Sequence, residues 1–231
     1  MTKRRVVVTG MGAVSPFGIG VDKLWENLIE GNSGVRVFQN VNPEDHVVKI
    51  GAEVPDFKPE EFIDAKDCKR MDRFIQFAVV ASIEAMKDSA LDLEKEDLTR
   101  IGVIAGSGAG GFMSIEKNHT AMLQKGFNKC SPFTVPMLIC NMGSGRIAMH
   151  FGLRGLNKAV VSACATGAHS IGDAARSIQY GDADVMVAGG EEAIICNRGI
   201  GSFSAARTLS KRSDEPEKAS RPYDKDRDGF V

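Results

Sequence analysis

The feature that most constrains the fold is a change of pattern within residues 158–181, where a short apolar run passes directly into helical spacing. Residues 159–163 form the apolar run, which is typical of a buried strand. The apolar side chains after it recur at the helical period: Ile171, Ala174, Ala175 and Ile178. Gly181 then provides a helix stop signal. The pattern therefore predicts that Cys164 lies where a buried strand turns into a helix.

Small residues surround Cys164: Ala163 and Ala165 flank it, and Gly167 follows. A nucleophile at the tip of a sharp strand-to-helix turn needs small neighbours of this kind. The N–H groups at a helix start favour the thiolate, the reactive form of cysteine, and can also stabilise the oxyanion of a tetrahedral intermediate. A lone cysteine is, however, often a buried structural residue. The position alone therefore leaves a nucleophile and a structural cysteine open.

The composition argues against several classes of function. The formal net charge is −1, so no overall positive field favours a nucleic acid as partner. The five cysteines include no Cys-x-x-Cys pair, which favours a reducing compartment, the cytoplasm. No apolar stretch is long enough to predict a membrane span. We also expect no metal site, because no pair of cysteines or histidines has ligand spacing on one loop or helix face. His169 is expected on another helix face than Cys164, which makes it a poor candidate for the base of a Cys–His pair.

Strand and helix signals alternate along most of the chain. Predicted strands cover residues 4–9, 101–106, 159–163 and 184–188, and predicted helices cover residues 22–31, 61–90, 113–125, 138–150 and the stretch that ends at Tyr180. In the first helix we expect Leu24, Trp25 and Leu28 to face inward. The alternation predicts an α/β fold with a mainly parallel sheet covered by helices on both faces.

Three segments rich in glycine or aspartate resemble ligand sites, but each motif is incomplete. Gly10 and Gly12 follow the first predicted strand, yet the third glycine of a dinucleotide fingerprint is missing. Residues 106–111 could cradle a phosphate but lack the Lys-Ser/Thr ending of a P-loop. Residues 224–229 copy the first half of a calcium loop without its final glutamate. Nucleotide, phosphate and calcium binding are therefore the less favoured alternatives.

The residues around Cys164 also resemble a known family. Residues 162–169, Ser-Ala-Cys-Ala-Thr-Gly-Ala-His, closely resemble the active-site signature of the β-ketoacyl-acyl carrier protein synthases, the condensing enzymes of fatty acid synthesis. Four further segments are similar to the same family: residues 3–16, 101–108, 181–190 and 220–231. The resemblance covers essentially the whole chain and is greatest to the elongating, type II synthases.

This resemblance implies a thiolase-like fold, which consists of two similar α/β halves packed against each other. Residues 1–231 would form the first half, the N-terminal β-ketoacyl synthase domain. Cys164 would be the nucleophile that takes an acyl group from acyl carrier protein, after which a malonyl carrier protein loses carbon dioxide and its carbanion attacks the acyl-cysteine. The family's two catalytic histidines and its lysine are expected in the second half, beyond residue 231.

The resemblance also implies roles for individual residues. The acyl pocket is expected at Ala109, Thr134 and Phe203, although the family often has a bulkier aliphatic residue at the first position and an aromatic one at the second. A basic surface that docks the acidic carrier protein is expected at four residues: Lys66, Lys69, Arg70 and Lys129.

Further expectations concern the assembly. No cofactor is expected, because the phosphopantetheine arm arrives with the carrier protein. The family forms homodimers in which the strand before the nucleophile, here residues 158–163, pairs with its own copy. The alternative to a condensing enzyme is a non-catalytic fragment that keeps only the carrier-protein and dimer contacts.

Overall fold

The computed structural model describes residues 4–231, which group into two compact units. The first unit contains the described part of residues 1–12 together with residues 59–193, and the second contains residues 13–58 and 194–231. The first three residues of the predicted domain lie outside the described residues. A single domain over residues 1–231 stays a prediction.

Residues 4–231 form eight α-helices: α1 (Val21–Glu30), α2 (Ala65–Cys68), α3 (Arg73–Asp88), α4 (Phe112–Lys125), α5 (Thr134–Leu138), α6 (Met142–Phe151), α7 (Thr166–Tyr180) and α8 (Asn197–Ala205). The strands of the same residues are β1 (Val14–Ser15), β2 (Gly18–Ile19), β3 (Arg36–Val37), β4 (Ile50–Gly51), β5 (Ile101–Gly106), β6 (Asn157–Lys158) and β7 (Val185–Gly190). None of the helices described here combines the length and apolarity needed to cross a membrane.

The first unit is built on a parallel sheet with the strand order β6-β5-β7. The pairing of β5 with β7 runs in register from Ile101 opposite Val185 to Gly106 opposite Gly190. All six residues of β5 are buried, as expected for a central strand whose two faces are both covered. Helices α3, α6 and α7 pack on this sheet or on one another. The predicted α/β fold with a parallel sheet is confirmed.

Local signals mark the start of α3 and the end of α7, and only the second of them, at Gly181, was predicted from the sequence. The carboxylate of Asp72 accepts a hydrogen bond from the N–H of Phe74 and so caps the start of α3. Gly181, with φ of 84°, ends α7 in the left-handed conformation that glycine adopts without strain. Two predicted helices were too long: residues 61–90 are divided into α2 and α3, and α6 begins only at Met142.

The predicted strand at residues 4–9 is wrong, because these residues form no ladder with any strand of the described chain. The residues that follow, 10–12, lie against α3. A Cβ on Gly10 would collide with the carbonyl oxygen of Ala85, and the N–H of Met11 donates to the carboxylate of Asp88 at 2.9 Å. The glycine is thus explained by the close approach of a helix, and it forms no part of a nucleotide loop.

The prediction of a buried strand at residues 159–163 is also wrong. Only Asn157 and Lys158 pair with β5, and the side chain of Val161 is 55% exposed. The physical reason is the strand order, because β6 lies at an edge of the three-stranded sheet and has a neighbour on one side alone. The apolar run is therefore an exposed edge segment that leads into the turn at Cys164.

The second unit contains two small antiparallel pairs, β1 with β2 and β3 with β4. Its apolar side chains form small clusters, such as Val48, Ile50 and Ala219. The predicted helix at residues 22–31 is confirmed as α1, but its inward face is not. Trp25 is 62% exposed and Leu28 is 54% exposed, since α1 buries no residue within the described chain.

Candidate active site

Cys164 lies directly before a helix, as predicted, although strand β6 already ends at Lys158. It is the middle residue of a 3-10 turn, Ala163–Ala165, and α7 begins directly afterwards at Thr166. The preceding Ala163 has φ of 52°, a left-handed conformation that costs a residue with a side chain about 1–2 kcal/mol. The Cys164 side chain is exposed. A strained turn therefore places this thiol at the start of a helix. The backbone N–H groups at a helix start stabilise a negative charge that forms there.

Hydrogen bonds from the residue before the turn fix its shape. The N–H of Ser162 donates to the hydroxyl of Thr166 at 2.9 Å, and Thr166 is itself buried. The hydroxyl of Ser162 is hydrogen-bonded to Nδ1 of His169 at 2.6 Å. His169 thus contacts a residue that shapes the turn. Sequence reasoning did not identify Ser162 or Thr166, although both lie within the motif.

Glycines allow the turn to pack against the carboxyl ends of the strands. A Cβ on Gly106, the last residue of β5, would collide with the carbonyl oxygen of Val160. A Cβ on Gly190, the last residue of β7, would lie 2.7 Å from the Cα of Gly167 in α7. Real Cβ atoms do not approach other atoms so closely, so any larger residue would displace the segments on either side of Cys164.

Residues 106–111, called the glycine loop from here on, surround the carboxylate of Glu192. The hydroxyl of Ser107 donates to Oε1 of Glu192 at 3.0 Å, and the N–H of Ala109 donates to Oε2 at 3.0 Å. The N–H of Gly110 donates to the Ser107 hydroxyl at 2.7 Å. The loop thus directs its donors at a carboxylate of the same chain, which argues against the phosphate interpretation.

Glu191, the neighbour of Glu192, is an acid whose carboxyl group is largely buried. Its Oε1 has no hydrogen-bond partner, and the carboxyl group lies against Gly143 of α6. Burial, and secondarily the charge of Glu192, raises the pKa of Glu191 to about 8. Sequence reasoning missed both glutamates. The available signal was their position directly after a strand of a parallel sheet, at the edge where sites of α/β folds lie.

A hydrogen bond links the elements that carry two of the three predicted pocket residues. Ala109 is half-buried in the glycine loop, and Thr134 is the first residue of α5. The N–H of Gly111 donates to the carbonyl of Leu138 at 3.0 Å, which joins the loop to the end of α5. Phe203 belongs to α8 in the second unit, where its ring packs edge-on against Phe230 at a centroid distance of 5.5 Å.

The four predicted docking residues differ in their surroundings. Lys66 and Lys69 are exposed at α2, and Lys129 is exposed in the loop between α4 and α5. Arg70 is only half-exposed, because its guanidinium lies 4.8 Å from the ring centroid of Phe133. This contact joins the segment before α3 to the loop that carries Lys129. Among the residues described here, the three lysines form no ion pair within 4.0 Å, whereas Arg70 lies 3.9 Å from Asp67.

The segment that resembles half a calcium loop uses its carboxylates for ion pairs. Asp224 accepts a hydrogen bond from Arg221 at 2.8 Å, and Asp228 accepts one from Arg212 at 3.3 Å. Within residues 4–231, no group of three metal-ligating side chains is arranged to hold a metal ion.

Comparisons with known proteins agree with this geometry. The family model "Beta-ketoacyl synthase, N-terminal domain" matches residues 3–231. The chain belongs to the β-ketoacyl synthase family. The 3-oxoacyl-(acyl-carrier-protein) synthase 2 of Vibrio cholerae is 49% identical over 231 residues, which are 100% of this chain and 56% of the relative. The chain therefore spans about half the length of the curated relatives it matches.

Solved structures of this family have the same fold. A β-ketoacyl synthase from Burkholderia phymatum matches 100% of the chain with a TM-score of 0.85 and 29% identity, and the match covers 56% of that structure. The ishigamide ketosynthase/chain length factor matches 100% of the chain with a TM-score of 0.88 and 29% identity, again over 56% of its own chain. The predicted thiolase-like α/β fold is thus confirmed.

We predict that Cys164 is alkylated faster than the other four cysteines of this β-ketoacyl synthase domain. Cys68 and Cys196 are buried, and burial raises the pKa of the Cys68 and Cys140 thiols. Peptide mapping after limiting iodoacetamide measures the order of labelling. A Cys164→Ser variant is the control and should lose the fastest label. Earlier labelling of Cys68 or Cys130 would contradict the prediction.

We predict that Glu191→Gln stabilises the domain increasingly as the pH rises. The wild-type acid holds its proton in the folded state up to a pH of about 8 but loses it near 4.5 when unfolded. Its contribution to stability is therefore complete at low pH and is lost between these values. A glutamine has no such loss, so its gain in the free energy of unfolding should reach about 5 kcal/mol near pH 8.5 and vanish near pH 4.

Urea unfolding of both proteins at several pH values measures this difference. Glu96→Gln is the matched control, because Glu96 is exposed on the connection between α3 and β5. The control should change stability equally at every pH. A stability gain for Glu191→Gln that does not vary with pH would show that its carboxyl group is not protonated in the folded protein.

Proposed function

We propose that this chain carries the nucleophile of an elongating β-ketoacyl-acyl carrier protein synthase of fatty acid synthesis. The observation that supports it is the exposed Cys164 thiol on a strained turn at the start of α7. The relative from Vibrio cholerae bears the name of an enzyme that acts on acyl carrier protein, and 49% identity supports transfer of that activity. Cys164 is accordingly proposed as the residue that becomes acylated.

The first reaction step follows from the chemistry of a thiolate. The sulfur of Cys164 attacks the carbonyl carbon of an acyl-phosphopantetheine thioester, and N–H groups at the helix start stabilise the oxyanion. The old carbon–sulfur bond then breaks, and the phosphopantetheine thiol leaves as a thiolate that takes up a proton. The acyl group stays on Cys164. No cofactor is required for this exchange, because the carrier protein brings the phosphopantetheine arm.

The second step would consume the acyl-cysteine. A malonyl carrier protein loses carbon dioxide, its carbanion attacks the acyl carbon, and the thiolate of Cys164 is released. The groups that assist decarboxylation are expected in a part of the enzyme that this chain, at 56% of the length of its relative, does not span. A reducing compartment, the cytoplasm, suits the five cysteines, which are all free thiols.

We also propose that the exposed lysines dock the carrier protein. Lys66, Lys69 and Lys129 are free of ion pairs within the described residues, and the Arg70–Phe133 contact links the segments that carry them. An acidic carrier protein would approach such a surface faster than a neutral one. The attraction should weaken with salt, because the Debye length falls from about 10 Å at 0.1 M to about 3 Å at 1 M.

We predict that acyl carrier protein bearing a saturated acyl chain acylates Cys164. The Lys66→Glu/Lys69→Glu variant should be acylated more slowly at low salt and at nearly the wild-type rate at high salt. Intact-mass spectrometry follows the transfer, and Cys164→Ser should gain no mass. The matched control is Lys87→Glu/Lys95→Glu, which changes the charge equally; Lys87 lies near the far end of α3, roughly 20 Å from its start.

Each outcome of this experiment decides between the proposals. Acylation of Cys164 with equal slowing in both double variants would contradict the docking surface but leave the nucleophile intact. Binding of the carrier protein without any acylation would contradict catalysis and favour the non-catalytic fragment.

We further propose that the domain forms a two-fold dimer through residues 158–163. Strand β6 lies at an edge of the sheet, and the segment after it exposes Val161. An apolar strand edge without proline favours pairing with another strand. In a two-fold dimer, the same edge of a second copy would pair with the unpaired backbone N–H and C=O groups of the first.

We predict that light scattering gives about twice the monomer mass of 24.8 kDa for the wild-type chain. Val161→Glu should shift the protein toward the monomer, because it places like charges on the paired edges. Leu123→Glu is the control, since Leu123 is equally an exposed apolar residue but lies on α4. A wild-type monomer would contradict pairing through this edge.

A further inference from the structure

The carboxylate of Glu192 holds more residues of the glycine loop through hydrogen bonds than any pocket residue predicted from the sequence does. We propose that Glu192 is a positioning residue for acyl-chain recognition, because it holds the loop that carries Ala109 in one shape. This inference rests on the proposed function and on the expectation that Ala109 of the glycine loop lines the acyl pocket. Glu192 itself touches neither the thiol nor the reacting atoms in this proposal.

The first support is the set of hydrogen bonds around this carboxylate. Its Oε1 accepts from the Ser107 hydroxyl and its Oε2 accepts from the N–H of Ala109, each at 3.0 Å. The same hydroxyl accepts from the N–H of Gly110 at 2.7 Å, and Ser107 is completely buried. One side chain therefore fixes three residues of the loop, Ser107 and Ala109 directly and Gly110 through Ser107.

The second support is the position of the loop between two parts of the site. A Cβ on Gly108 would lie 3.3 Å from the Cα of Ala163 and 3.2 Å from Oε2 of Glu192, so the loop is in close contact with the turn. On its other side, Gly111 is hydrogen-bonded to Leu138 in the helix that begins with Thr134. A shift of the loop would therefore move the surroundings of Ala109 and Thr134 together.

The physical consequence of losing the carboxylate follows from these contacts. Without it, the buried hydroxyl of Ser107 and the N–H of Ala109 lose their acceptor, and the loop must rearrange to find others. A small reagent at Cys164 does not fill an acyl pocket and would not detect a change in the pocket's shape. A long acyl chain would, because its affinity depends on the shape of the apolar pocket that it fills.

The test compares acylation of Cys164 by the acetyl and the dodecanoyl thioesters of pantetheine. We expect Glu192→Ala to lower the ratio of the dodecanoyl rate to the acetyl rate by about tenfold, the scale of a modest change in a hydrophobic pocket. The rate of alkylation by iodoacetamide should stay at the wild-type value. Glu96→Ala is the matched control, because it removes an exposed carboxylate outside the loop and should leave the ratio unchanged.

Conservative variants distinguish hydrogen bonding from charge. Glu192→Gln should restore the ratio in part, because the amide oxygen can still accept from Ala109, whereas the amide nitrogen cannot accept the proton of the Ser107 hydroxyl. Glu192→Asp should not, since its carboxylate is one methylene too short to reach both partners. Ser107→Ala should lower the ratio in the same direction as Glu192→Ala, and it carries the test if the latter variant fails to fold by circular dichroism.

The outcomes separate this inference from the proposed function. An unchanged ratio in Glu192→Ala or, if that variant does not fold, in Ser107→Ala would overturn the role of Glu192 while leaving Cys164 as the nucleophile. A Glu192→Gln variant as impaired as Glu192→Ala would overturn the hydrogen-bond explanation. Failure of both thioesters to acylate wild-type Cys164 would overturn the proposed function, and the role of Glu192 with it.

Discussion

The site depends on the close approach of backbone segments at the carboxyl edge of the parallel sheet. Gly106 ends β5 beneath the carbonyl of Val160, and Gly190 ends β7 against Gly167 at the start of α7. Because these residues have no Cβ, the turn that carries Cys164 can sit directly on the ends of two strands. Side chains in their place would separate the turn from the sheet, since packed interiors have no spare volume. The position of the thiol thus depends on the lack of side chains at Gly106 and Gly190.

Two adjacent glutamates at the same edge have different physical states. Glu192 accepts hydrogen bonds from the glycine loop, while the carboxyl group of Glu191 is largely buried and its pKa is raised to about 8. Their difference follows from their surroundings, because Glu191 lies against Gly143 of α6, whereas Glu192 meets the hydrogen-bond donors of the glycine loop. One carboxylate can therefore organise the loop beside the thiol, and the other remains a protonated interior group at neutral pH.

Several features could be predicted from local patterns. The helix after Cys164, its stop at Gly181, the buried strand β5 and the capping of α3 all follow from periodicity and from short-range signals. Other expectations were wrong for reasons that are not local. Residues 4–9 have the apolar pattern of a strand but find no partner strand within the described chain. Trp25 has the spacing of an inward residue but is 62% exposed, because α1 buries no residue there.

The sequence by itself determined that Cys164 follows an apolar run, starts a helix and is surrounded by small residues, because each of these is a property of neighbouring positions. It also determined the family, since the signature around Cys164 and the match over residues 3–231 are matters of sequence. Only the tertiary structure decided that the apolar run is an exposed sheet edge and that Glu192 binds a loop 83 residues before it. Both depend on which strands become neighbours, and distant strand pairing leaves no local pattern in the chain.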